Sequence, residues 1–561
     1  MELILQKSTI PLILVLVAAF LSVVFANNRY TGSDPRATLL VSESIIKRGT
    51  IKLDHYGPEV LERYGYAVHK KNDHYYYYFP IGTSLASVPF VALANVFGQE
   101  MIDSEPAVQI LIAAFTSIIT LLILFKLASL FLDWKHALII SSVFWFGTSL
   151  ASTSGTALWS HNFATLFALL AIYLAIRTAK LNKAQPWHLI AILLFAAYLC
   201  RPTMAILSPF VLLFLFAYSR SDAIKTGFFL ALLLGAFTLF SVHEFGQMLP
   251  DYYLPKRLAG GHFYTALYGN LLSPARGILI YSPFIAIAWL CLKYSEKKWE
   301  IKRAWLFIGL AWPVFHLIFI SRFPHWWGGW SYGARFMTDV LPGLFLLTLY
   351  AWPTNFKPLV AKACYGLLLV SSAFAMAVNT GQGLFNRYTA AWNAAPRIDQ
   401  HPEYLFDWSY PQFLANKDGH ASRLIAHKAG GLPAISPGET FNHKSNSFIY
   451  LGWSDPEPRH RWSDAKSSRI IFKTDHFEKF EGVLRLHFGT LGMQKIIILM
   501  NGSEIYSDVI DASDRVLEVP FKKTLLSNGM NTLEFDLPDA RQPGNGDSRT
   551  LALALKSLQI R

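Results

Sequence analysis

The chain has 561 residues, 53% of them hydrophobic, 15% aromatic and only 16% charged. A soluble protein of this length carries about a quarter charged residues, so the shortfall excludes an ordinary water-soluble globule and points to a membrane protein. The net charge of +13 would suggest nucleic acid for a soluble chain. Here Lys and Arg crowd the short loops between apolar runs, as membrane topology requires, so no nucleic-acid partner is implied.

The first apolar run, in "MELILQKSTIPLILVLVAAFLSVVFA", is followed by "FANNRY", a poor small-residue cleavage site, and reads as a retained helix. Runs long enough to span follow, giving in all 9–26, 107–131, 136–153, 162–178, 187–200, 203–218, 225–243, 278–293, 304–320, 339–353 and 358–378. That makes about eleven transmembrane helices. The segment "FPIGTSLASVPFVALANVFG" (79–98) is ambiguous. If it does not cross, the basic loops "RTAKLNK", "SRSDAIK" and "KYSEKKWEIKR" all face the cytoplasm; if it crosses, all three face outward. The positive-inside rule therefore predicts an interfacial helix on the outer face. With the N-terminus inside, loops 27–106, 154–161, 244–277 and 321–338 face outward, as does everything after about 379. Cys200, Cys291 and Cys364 lie in or beside apolar runs, and no disulfide framework is implied.

From about residue 400 the pattern changes. "NSFIYLG", "SRIIFKT", "VLRLHFG", "KIIILMNGSEIYS", "RVLEVPF", "NTLEFDL" and "LALALKSLQI" alternate and are bounded by turn residues, with Asn501-Gly502 a hairpin signal. The fold class predicted is a polytopic α-helical membrane protein with a C-terminal all-β sandwich. Its expected parts are a transmembrane domain over 1–380 with the outer loop 27–106, a linker over 381–440 and a periplasmic sandwich over 441–561.

Two stretches look chemical. "HWWGGWSYGARF" (325–336) contains Gly-Trp-Ser-Tyr-Gly, formally the G-x-S-x-G elbow around a nucleophilic serine. The elbow has meaning only between a strand and a helix, and Ser331 lies between two membrane runs, so it is a chance match. The first outer loop opens "NNRYTGSDPRATLLVSESIIKRG". Asp34-Pro35 reads as an N-cap and first helical position for a helix from Arg36 to Lys47. It also reads as a general base held at that helix start.

One apolar span, an outer loop opening with Asp and an amphipathic helix, then "YYYYFPIGTSLASVPF", together resemble the polytopic GT-C glycosyltransferases. The similarity is to the branch with protein O-mannosyltransferases and lipid A aminoarabinose transferases. "TSGTALWSHNFATLF", "NLLSPARGILIYSPF" and "WWGGWSYGARF" resemble motifs of bacterial members, and the likeness covers roughly residues 1–380. It implies that Asp34 is the catalytic base, although this chain has a single Asp where several relatives have an Asp-Glu pair. That departure keeps Glu43, Asp54 and Glu59 of the same loop as alternatives. It also implies a polyprenyl-phosphate-linked sugar donor. Arg201, Arg276, Arg322 and Arg335 stand on the outward side, where short loops should be poor in Arg. Snorkelling explains any one of them; together they suit a phosphate gripped by guanidinium groups. Arg276 and Arg335, in Gly-flanked loops, are the first candidates for that phosphate and Arg201 the third.

His161, Trp327, Trp330 and Tyr332 are expected to meet the sugar or acceptor, against an aromatic-belt reading of the Trp326, Trp327 and Trp330 cluster. There is no Walker A motif, no Asp-x-Asp and no H-E-x-x-H, so neither cofactor nor metal is expected. The expected function is inverting hexosyl or pentosyl transfer at the periplasmic face of a bacterial inner membrane. The acceptor would be a hydroxyl of a glycan, lipid or protein, and membrane lipids are the surroundings. The rival is a lipid or polysaccharide transporter or flippase component. Transporters place charges near the midplane of two related halves, and here the spans are nearly free of ionisable residues and show no halving.

Overall fold

Two units divide the chain, Met1–Asn416 and Lys417–Arg561. The computed structural model describes residues 2–294, 299, 301–354, 359–394, 396–543 and 549–561; residues 295–298 and 300 of the basic loop 293–303 lie outside them.

The first unit is helical. Met101–Ala128, Ser160–Lys180, Arg220–Phe245 and Leu359–Phe385 are long and apolar enough to cross a membrane. Thr9–Val24, Gly82–Val96, Trp187–Cys200, Pro202–Tyr218 and Phe307–Ile320 are shorter apolar helices. Three expected spans are broken, each for a local reason. Run 136–153 becomes Trp134–Phe146 and Ser149–Ser152. The break is at Gly147, where a Cβ would stand 2.6 Å from the Val143 carbonyl oxygen. Run 278–293 is interrupted by Ser282-Pro283. Run 339–353 begins as the 3-10 turn Arg335–Val340 and turns α-helical only from Leu341, with Pro342 in the first turn where its missing N–H is harmless.

The first outer loop packs on this body. Helix Thr38–Arg48 lies against helix Gly82–Val96, joined by the Thr38 and Ser84 hydroxyls at 3.0 Å and by Ser42 Oγ donating to the Ser84 carbonyl at 2.7 Å. Gly82 is required there, because a Cβ would come within 2.3 Å of the Cys200 backbone nitrogen. Between the two helices runs a hairpin of β1 (Val68–Lys71) and β2 (His74–Tyr77). Its turn places Asn72 and Asp73 at φ 49° and 62°, a left-handed pair these residue types tolerate.

The expected helix start at Asp34 is corrected. The α-helix begins at Thr38, and Ala37 ahead of it is left-handed at φ 69° with no side-chain cap from its own segment. The cap comes from another helix: Glu105 accepts from Ala37 N at 2.9 Å and from Leu39 N at 3.0 Å.

The division into units falls inside the stretch 381–440 expected as a linker. Residues 381–416 are part of the helical unit, and the second unit opens with helix Lys417–Ala429. The strands of that unit are β3 (Thr440–Asn442), β4 (Ile449–Leu451), β5 (Arg461–Asp464), β6 (Ser467–Thr474), β7 (Val483–Thr490), β8 (Gln494–Met500), β9 (Ser503–Ile510), β10 (Arg515–Pro520), β11 (Gly529–Asp536) and β12 (Leu551–Ile560). One sheet runs β10-β7-β12-β3 with β5 also on β12; the other runs β4-β6-β11-β8-β9. Every predicted strand is present, and alternation buries Ile470, Phe472, Leu484, Leu486, Phe488, Leu533 and Phe535 in one core between the sheets.

Candidate active site

Asp34 stands in the turn before helix Thr38–Arg48, its side chain 28% exposed. Gln109 donates to the Pro35 carbonyl at 3.2 Å and Tyr77 of β2 donates to the Asp34 carbonyl at 2.8 Å, so the turn is fixed from both sides. The Asp34 carboxylate pairs through Oδ2 with Arg335 Nη2, while Tyr66 lies 3.4 Å from Oδ1. Burial and the Asp34 charge push the Tyr66 phenol up, so it remains a donor toward the carboxylate at neutral pH. Arg335 donates also to the Gly328 carbonyl at 2.7 Å and lies 3.9 Å over the Trp159 ring. Gly328 has φ 73°, which turns its carbonyl to that guanidinium at no steric cost.

The small cleft at Asp34 is lined by Tyr77, Phe79, Leu158, Ser160, Tyr252 and Arg335. Tyr252 also lines a larger groove of about 310 Å³. Its walls include Ala205, Leu254, Pro255, Phe319, Ile320 and Phe323, and its two cations are Arg201 and Arg257. Arg201 Nη1 reaches Ser160 Oγ at 3.0 Å, which ties groove to cleft. Arg257 lies 3.8 Å over the Tyr252 ring. A carboxylate cleft that opens beside an apolar groove with two guanidinium groups can take an amphiphile carrying an anion.

Arg276 differs from its expectation. Nε donates to the Trp327 carbonyl at 2.8 Å. Nη1 donates to the Ala275 carbonyl at 2.8 Å and to Gln412 Oε1. Nη2 donates to the Gly329 carbonyl at 3.2 Å and to Asn393 Oδ1 at 2.9 Å. All five N–H groups of the guanidinium are thereby used and none is left for a phosphate. Burial lowers its pKa to about 10, so it stays charged at neutral pH. It clasps 273–277, 327–329 and 393–412 together.

His161 is fully enclosed, with Nδ1 2.7 Å from Asp339 Oδ1, and cannot meet an acceptor in this arrangement. Trp327 is buried and donates to Asp399 Oδ1 at 2.8 Å. Tyr332 is buried and donates to the Val378 carbonyl at 2.8 Å. Only Trp330, 41% exposed, keeps a face free for a ligand. Ser331 is buried, its hydroxyl 3.5 Å from the Trp327 carbonyl and its own carbonyl accepting from Asn393 and Gln412. Among the alternative bases, Glu43 is buried between Tyr56 and Lys47, and Asp54 accepts from Tyr75 N and His74 in the hairpin. Glu59 and Arg322 are exposed and line neither cleft nor groove. Among the described residues no group of His, Cys, Asp or Glu could hold a metal ion.

Sequence reasoning missed Glu105, Ser160, Thr203, Arg257 and Asp339. Asp339 stands at the edge of the apolar run 339–353. A buried carboxylate beside an apolar run was the one signal that could have marked it.

A family model described as dolichyl-phosphate-mannose-protein mannosyltransferase matches residues 88–244. None of the curated proteins matches. Among solved structures the chain is similar to ArnT from Cupriavidus metallidurans bound to undecaprenyl phosphate, at 13% identity over 77% of this chain and 82% of that one, TM-score 0.42. It is also similar to arabinosyltransferase EmbB from Mycobacterium smegmatis, at 10% identity over 98% of this chain and 64% of that one, TM-score 0.37. The stretch matched by that family model, residues 88–244, contains Glu105, Ser160, His161 and Arg201, while Asp34 and Arg335 lie on either side of it.

Proposed function

We propose that the helical unit is a membrane glycosyltransferase that moves a sugar from a polyprenyl-phosphate donor to a hydroxyl of a periplasmic glycan, lipid or protein. The observation that carries this reading is that the Asp34 cleft and the apolar groove presenting Arg201 and Arg257 share the Tyr252 wall and are bridged by the bond from Arg201 to Ser160. The matched family is described by a dolichyl-phosphate sugar, the same donor chemistry. The basic loops support an inner-membrane topology with the N-terminus cytoplasmic and the site outward.

In this mechanism the prenyl chain lies along Leu254, Pro255, Phe319 and Phe323, and Arg201 with Arg257 faces the phosphate. The acceptor oxygen attacks the anomeric carbon from the side opposite the phosphate. Asp34 takes the hydroxyl proton as the bond from carbon to phosphate oxygen breaks, and the polyprenyl phosphate leaves with the electron pair. One displacement inverts the anomeric centre. Base assistance contributes about 10²–10⁴-fold, and charge fixed at the leaving group is usually the larger contribution. In this reading Arg335 aims the Asp34 carboxylate, and Arg276, its five N–H groups all used, braces the loops rather than holding the phosphate.

The test is Asp34→Asn in the full chain in nanodiscs, assayed for sugar transfer from a polyprenyl-phosphate donor. Asparagine cannot accept a proton near neutral pH, so turnover should fall by about two to four decades with donor binding retained. Near-wild-type turnover by a folded Asp34→Asn protein would remove Asp34 from the chemistry.

A further inference from the structure

Beside the groove, Asp339 is fully enclosed, and its carboxylate accepts on both oxygens. Oδ1 faces His161 Nδ1 at 2.7 Å. Oδ2 accepts from Arg201 Nε at 2.9 Å and from the Thr203 hydroxyl at 2.8 Å. His161 comes from the first turn of helix Ser160–Lys180, Arg201 from the break after helix Trp187–Cys200, and Thr203 from the turn Pro202–Ile206. Among the described residues Asp339 is the charged group that pairs with Arg201, whose backbone at the break is extended rather than helical.

The bond pattern gives Arg201 a direction. Nε points to Asp339 and one N–H of Nη1 points to Ser160 Oγ, whereas Nη2 has no hydrogen-bond partner among the described residues. Arg201 also lines the groove. One edge of a planar guanidinium is thus anchored, and a free nitrogen remains for an anion. A carboxylate held by three donors is a rigid anchor, because turning it breaks all three bonds at once.

We propose that Asp339 is the positioning residue for the donor phosphate: it acts through Arg201, holding that guanidinium so that its unbonded nitrogen faces the groove. The 3-10 turn Arg335–Val340 that carries Asp339 also carries Arg335, the partner of Asp34. One turn therefore sets the base at one end of the site and the phosphate cation at the other. The proposal rests on the reading of Arg201 as a phosphate ligand, and the experiment separates the two.

Asp339→Asn, Arg201→Gln and the double variant are prepared as full chains in nanodiscs. Binding of undecaprenyl phosphate without sugar is measured, together with KM for donor, KM for acceptor and kcat. Asp339→Asn should weaken undecaprenyl phosphate binding by about tenfold or more and raise donor KM in parallel, with acceptor KM unchanged. Arg201→Gln should do at least as much, and the double variant should bind no worse than Arg201→Gln, because the carboxylate then has no guanidinium to aim. Thr203→Val, which removes one neutral bond to Asp339, should weaken binding by a few-fold, only while Arg201 is present. It carries the test if Asp339→Asn does not fold. Unchanged binding in Arg201→Gln would overturn the phosphate reading itself. Weakened binding in Arg201→Gln, with either no effect of Asp339→Asn and Thr203→Val or simple additivity, would overturn the positioning role alone.

Discussion

Arg335 and Asp34 are 301 residues apart in sequence and are joined as an ion pair in which the guanidinium also caps the Trp159 ring. The pair brings the glycine-rich loop and the first outer loop to one point. Arg335→Lys keeps the charge, but a single ammonium cannot reach Asp34 and the Gly328 carbonyl in one planar geometry or stack on Trp159 as guanidinium does. Turnover should fall about a hundredfold, the scale on which small misplacements of a reacting group act, while undecaprenyl phosphate binding stays near wild type. Loss of binding with turnover per bound donor intact would instead make Arg335 a phosphate ligand.

Glu105 governs where Asp34 stands. It supplies from a neighbouring helix the two acceptors that the first turn of helix Thr38–Arg48 lacks. Glu105→Ala leaves two enclosed N–H groups unbonded, which costs about 2–4 kcal/mol, seen as a lower melting midpoint. Glu105→Gln retains one acceptor oxygen and should lose about half as much. Because Asp34 lies in the turn just before these N–H groups, both variants should also lose turnover in the fraction that remains folded. A stable Glu105→Ala protein with full turnover would show that the turn holds itself.

Arg276 is expected to matter for folding rather than for donor. Its five bonds go to the Trp327, Gly329 and Ala275 carbonyls, Asn393 and Gln412. Arg276→Ala removes the guanidinium from these enclosed acceptors and leaves only the long bonds from Ser331 to the Trp327 carbonyl and from Gly333 N to Gln412, so the yield of monodisperse protein in detergent should fall sharply, with a loss of about 3–5 kcal/mol. Donor KM in the surviving fraction should be unchanged. A folded Arg276→Ala protein with raised donor KM would restore the phosphate role.

The strand pattern of residues 440–561 was legible because a two-sided sheet writes a period of two into the sequence, and seven predicted segments became β4 and β6–β12. β3 and β5 were not, being three and four residues long with no period to read. Asp34 was legible as a candidate because a carboxylate just outside an apolar run is conspicuous, but the helix starts later, at Thr38, than the Asp34-Pro35 pattern suggests. The residue that does cap, Glu105, is 66 and 68 positions away from the groups it bonds, and no local rule reaches that far. The arginines were legible by type, but the bonds that occupy Arg276 were not. Gly-rich flanks mark where backbone comes close, and at Arg276 it is the protein's own backbone that occupies the guanidinium.

Asn501-Gly502 forms the hairpin turn its sequence predicts, and Asn501 has a second task. The two residues take φ 48° and 83° between β8 and β9, as the turn demands. The Asn501 side chain meanwhile donates to the Leu525 carbonyl at 2.7 Å and to Asn531 Oδ1 at 2.8 Å, and accepts from Thr532 N at 2.7 Å. It thus ties the turn to β11 and to the segment before it. Asn501→Gly preserves the left-handed turn and removes the three bonds; Asn501→Ala removes the bonds and adds strain at positive φ. The glycine variant should therefore lose about 1–3 kcal/mol of unfolding free energy in residues 417–561, and the alanine variant about 1 kcal/mol more. Chemical denaturation of that unit, followed by tryptophan fluorescence, measures both. Equal losses would mean that turn geometry is unimportant there, and no loss in Asn501→Gly would mean that the three bonds contribute nothing beyond what water supplies.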